Sequence, residues 1–103
     1  MPNSLEVQFD EAMWDIYRRA RDEAGYTATI FRDMVGRQGG LQTARTLINS
    51  KVPSDGYTRL WELGRLDLTV EAIVLQSSNF HSLFTEQELE ICEKRLRDYG
   101  YED

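Results

Sequence analysis

The sequence predicts an all-α fold, a single small multi-helix domain of five or six short helices. Three observations carry this. Apolar residues recur at spacings of three and four along most of the chain, glycines and one internal proline punctuate those runs, and several runs open on a residue able to cap a helix. At 103 residues the chain has the usual size of one core and can bury enough surface to fold without staples. One domain over residues 1–103 is expected, with residues 1–4 and 101–103 frayed.

Taken in order, Ser4 is the candidate N-cap of a first helix whose apolar face holds Phe9, Met13, Ile16, Tyr17, Ala20 and Ala24, and Gly25 supplies the stop. Acids Asp10, Glu11 and Asp15 precede bases Arg18, Arg19 and Arg21, the order that the helix dipole favours. A second helix opens at Thr27 as N-cap, carries Ile30, Phe31, Met34 and Val35 on its apolar side, and ends near Gln38 before Gly39 and Gly40. A third follows at once with Leu41, Ala44, Leu47 and Ile48, and must end before Pro53. Ser54 or Asp55 caps a fourth, carrying Tyr57, Leu60, Trp61 and Leu63 up to Gly64.

Asp67 is the candidate cap of a fifth helix over residues 68–75. Val70, Ile73 and Val74 lean towards strand, yet no second strand stands nearby to pair with them, so helix is the reading. After a polar loop, Phe80, Leu83 and Phe84 form an apolar turn. Thr85-Glu86-Gln87-Glu88 then fits a capping box, opening a last helix with Leu89, Cys92 and Leu96 on its buried stripe and Gly100 at its end. The expected core is Phe9, Met13, Phe31, Met34, Leu47, Leu60, Trp61, Leu66, Ile73, Phe84, Leu89 and Leu96.

Gly39-Gly40-Leu41, the run LWELGRLDLTVE at residues 60–71, Leu83-Phe84-Thr85, Arg95-Leu96 and Tyr99-Gly100-Tyr101 resemble a recurring family of small, uncharacterised bacterial all-helical proteins. The resemblance spans about residues 9–101. It implies a bacterial source and a helical fold, and it implies no activity, substrate or catalytic residue.

Composition narrows the function classes. A single cysteine, Cys92, leaves no internal disulfide and no cysteine cluster for zinc, which points to the cytoplasm. The longest apolar-rich run, residues 66–75, is interrupted by Asp67 and Glu71, so no membrane span is expected. The single histidine, His81, excludes sites that need several imidazoles. Cys92 lies among Glu88, Glu90 and Glu93, an acidic setting that discourages a reactive thiolate. Glu86, Glu88, Glu90 and Glu93 could offer metal ligands or an acid–base pair, but acids in a first turn satisfy the helix dipole, and Glu90 can pair with Lys94. No phosphate-cradling glycine motif occurs. The expectation is therefore no catalytic residue, no cofactor, no metal and no enzyme activity.

The formal net charge of −6 disfavours nucleic acid, but it is unevenly spread. Residues 28–66 carry six bases and three acids, between flanks that are net acidic. Two helices joined by a glycine turn over residues 27–50 outline a helix-turn-helix, with Arg37, Arg45 and Lys51 as candidate nucleic-acid contacts. Only Arg45 lies on its second helix as a strong base or phosphate contact, whereas reading helices present several. The expected role is thus a protein–protein interaction or adaptor module with an unidentified protein partner, and nucleic-acid association is the alternative. Trp14, which falls beside the buried stripe on the acidic side of the first helix, is the candidate binding anchor.

Overall fold

The computed structural model describes residues 4–101, and every regular element among them is helical. Six α-helices run in order: α1 Leu5–Ala24, α2 Thr29–Gln38, α3 Gly40–Ile48, α4 Asp55–Glu62, α5 Val70–Gln76 and α6 Glu86–Asp98. Two 3-10 segments, Leu66–Leu68 before α5 and Ser78–Leu83 after it, exceed the expected count of five or six helices. No helix among the described residues is long and apolar enough to cross a membrane. Of the ends expected to fray, residues 1–3 and 102–103 lie outside the described residues. Ser4 caps α1 by accepting from the Val7 N–H, and Tyr101 donates its N–H to the Leu96 carbonyl at 2.9 Å.

Phe9, Met13 and Ile16 of α1 form the centre of the main core, against Val35 of α2, Ala44 and Ile48 of α3, Val70 and Val74 of α5, Phe84 and Cys92. Phe9 is held edge-on by Phe80 and Phe84, with centroids at 5.1 and 5.4 Å, so the 3-10 segment after α5 closes over α1. A second cluster joins Tyr57, Leu66, Ala72 and Leu96, and a third joins Ala20, Leu60 and Leu68.

The two glycines between α2 and α3 act for different reasons. Gly39 takes φ +84°, which a side chain resists. Gly40 begins α3 against α1, where an added Cβ would lie 2.9 Å from Asp10 Oδ1 and 3.0 Å from Met13 Cγ, while its N–H donates to Asp10 Oδ1 at 2.7 Å. The close approach of α1 and α3 is thus written into one glycine and one aspartate.

Several expectations are corrected. α2 begins at Thr29, not at a Thr27 cap; Ala28 holds the cap position and makes no side-chain cap bond. The cap of α5 is Thr69, whose hydroxyl accepts from the Ala72 N–H at 3.2 Å. Asp67 lies in the preceding 3-10 turn and pairs with Arg65 at 3.0 Å, a partner close enough to draw it from the cap. The strand-leaning Val70 and Val74 lie in a helix because their neighbours are helical faces and offer no backbone to pair with.

Trp61 is the main departure from the expected core, since it is 46% exposed. α4 has only two turns and points Tyr57 and Leu60 inward, leaving position 61 at the edge of that face. Phe31, Met34, Leu47, Ile73 and Leu89 are half-buried, and the other expected core residues are buried.

Candidate functional site

Most of the basic middle is neutralised within the fold. Arg45 reaches across to Glu88 on α6 at 3.1 Å. Arg65 bridges Glu23 at 2.7 Å and Asp67, Arg59 pairs with Glu62, and Arg32 pairs with Asp33. Of the three candidate nucleic-acid contacts, Arg37 donates to the Asp33 carbonyl, and Lys51 is exposed with no ion pair among the described residues. Arg45, Arg37 and Lys51 are therefore not gathered into one cationic patch by any shared partner.

Glu88, which binds Arg45, is also the second half of the capping box. Its Oε1 accepts from the Thr85 N–H at 2.9 Å, its own N–H donates to Thr85 Oγ1 at 3.1 Å, and Oε2 takes a bond from Asn49 Nδ2 at 2.8 Å. Burial alone would raise this carboxyl; the bonds from Thr85, Asn49 and Arg45 outweigh it and hold the group below the usual carboxylate range.

The deepest polar constellation was not anticipated. Arg95 of α6 and Glu71 of α5, both buried, pair at 2.8 Å. The same guanidinium donates to the Ser50 carbonyl at 2.9 Å and the Leu47 carbonyl at 3.3 Å, closing the C-terminus of α3, where helix carbonyls lack partners. Tyr57 Oη donates to the Arg95 carbonyl at 3.0 Å. Desolvation pushes the Glu71 carboxyl above its ordinary value, against the pull of Arg95. Signals for this pair exist in the sequence: Glu71 interrupts an apolar run, and Arg95 lies three residues beyond Cys92, on the buried stripe. Nothing in the spacing, however, says that they meet.

Cys92 is fully buried, and burial pushes its thiol up to about 12. A thiol so placed behaves as a small apolar group. His81 is half-buried, and its Nε2 is enclosed with no hydrogen-bond partner among the described residues.

Two features face outward. Trp14 is half-buried, packed against the main core and edge-on to Tyr17 at 6.2 Å. Trp61 presents nearly half its surface and meets Tyr99 edge-on at 5.3 Å, while Tyr99 in turn meets Tyr57 at 5.1 Å. The other feature is a cavity of about 360 Å³ between α1, α2 and α4. Its buried wall includes Ile16, Ala20, Leu60 and Leu68, and Ile30, 76% exposed, stands at its outer edge.

Comparison with known proteins finds no matching family model, no matching curated protein and no matching solved structure. The reading of function rests on the chain's own residues.

Proposed function

We propose that this chain is a cytoplasmic protein–protein interaction module whose binding anchor is Trp61. The supporting observation is the aromatic row Tyr57–Tyr99–Trp61. A tryptophan that the fold leaves half-exposed is held at a fixed angle by a tyrosine that is itself fixed from the core side. Tryptophan and tyrosine dominate binding hot spots because they bury large area with little rotamer entropy to lose, and a pre-oriented ring loses still less. Trp14, the sequence-based candidate, is the weaker choice because its ring is more fully engaged with α1 and the core. Exposed Trp61 lies in a mixed surface, with the Arg59–Glu62 pair on its own helix, which suits a protein partner better than a polyanion.

The test is photocrosslinking from the adjacent exposed position 62, which leaves Trp61 in place, to identify the partner, followed by titration of the purified partner against wild type and Trp61→Ala. A hot-spot anchor should lose about 30-fold or more in affinity, while the fold loses only about 1–2 kcal/mol, since a half-exposed ring contributes less than a buried one. Unchanged affinity in Trp61→Ala rejects the anchor. The nucleic-acid alternative rests on the order α2–Gly39–α3 and on Arg37 and Lys51. It requires binding that falls steeply with salt and is lost in the Arg37→Glu, Lys51→Glu double variant.

A further inference from the structure

We infer that the cavity between α1, α2 and α4 is a binding site for a small molecule with a compact apolar body and a single hydrogen-bond-accepting end. This goes beyond the interaction reading and does not use Trp61.

The cavity, about 360 Å³, falls in the size range of small-molecule sites, and is more than twice the size of an engineered apolar cavity that admits benzene. Its capacity is thus a two-ring or roughly ten-carbon body.

The inner wall is apolar: Ile16, Ala20, Phe31, Met34, Leu60 and Leu68. The polar residues that reach the inner wall are already committed. Tyr57 Oη is bonded to the Arg95 carbonyl and the Glu71 carboxylate to the Arg95 guanidinium, so neither calls for a ligand partner. The outer side differs. Tyr26, half-buried, lines the cavity with its hydroxyl over Gly56, where an added Cβ would lie 3.3 Å from that oxygen and 3.9 Å from Ser54 Oγ. The Tyr26 hydroxyl has no hydrogen-bond partner among the described residues, and Ser54 Oγ accepts from the Tyr57 N–H while keeping its own O–H to give. The exposed Thr27 and Thr29 complete this side. Apolar depth with hydroxyl donors at one edge selects an apolar body whose acceptor, a carbonyl or carboxylate oxygen, sits by Tyr26.

The test titrates 2-acetylnaphthalene, with naphthalene as the probe lacking an acceptor, into the full chain and follows amide shifts. The expected result is saturable 1:1 binding of both, with the largest shifts at residues lining the cavity. Tyr26→Phe should weaken the ketone about three- to tenfold, the share of one neutral hydrogen bond, and leave naphthalene unchanged. Ala20→Leu, filling the buried wall, should abolish binding of both. If that variant fails to fold, Met34→Trp fills the same space from a half-buried position. No saturable shift up to 1 mM, or shifts centred elsewhere, overturns the site; equal weakening of both probes in Tyr26→Phe, or of neither, overturns the assigned acceptor end. Neither outcome bears on Trp61→Ala.

Discussion

Removing the Arg95 guanidinium is the most informative perturbation of this fold. In Arg95→Met the hydrocarbon stem is kept, but Glu71, 3% exposed, loses its partner at 2.8 Å, and the α3 carbonyls lose their donors. An uncompensated buried charge costs about 3–5 kcal/mol. The freed carbonyls add less, because Ser50 is exposed and can turn to water. That loss is comparable to the whole stability of a marginal domain, about 5–15 kcal/mol, and at about 4–8 °C per kcal/mol lowers Tm by at least about 12 °C. The loss should depend on pH. Burial raises the Glu71 carboxyl, so its folded form favours the protonated state. The deficit is then smallest below the unfolded value of about 4.5 and grows as pH rises through the folded one. Glu71→Leu added to Arg95→Met should restore most of the stability, because two apolar side chains leave no charge to solvate. Urea melts of the three variants at pH 4 and 7 check this. A loss under about 1 kcal/mol in the single variant, or a double variant no more stable than the single, refutes the reasoning.

Gly40→Ala should cost about 1–3 kcal/mol by overpacking, since its Cβ meets the Asp10 backbone at 3.0 Å as well as Met13; denaturant melts with an unchanged m-value would report it. Thr85→Ala removes an acceptor from the first turn of α6 and should cost about 1 kcal/mol, with faster amide exchange at residues 86–88; protected amides there would contradict the capping box. In acid, the Glu23 carboxyl, held down at about 2 by the Arg19 and Arg65 guanidinium groups, contributes stability present above about 4.5 and lost as pH falls towards 2; Arg65→Met should flatten that limb of the pH–stability curve. Cys92 should resist alkylation at neutral pH until the whole domain opens, so its labelling rate in denaturant should track global unfolding.

Local chemistry made much of this fold legible. Ser4, Ser54 and Thr85 cap the helices they precede, and Gly25, Gly39 and Gly100 stand at positive φ where helices end, because these features depend on a few neighbouring residues and no distant ones. The periodic stripe of α1 settled Phe9, Met13 and Ile16 as core for the same reason.

The sequence by itself thus determined the helices, most of their ends and the faces that must be covered. Tertiary structure decided what lies against what. It placed Trp61 at an edge and Trp14 against the core, since both rings satisfy a helical period and only the neighbouring elements differ. Arg95 was joined to Glu71 across 24 residues, and Arg45 of the apparent basic segment to Glu88 across 43. A cavity was left where α2 and α4 meet α1. Pairing and void depend on distances between elements far apart in the chain, and periodicity holds no record of those distances.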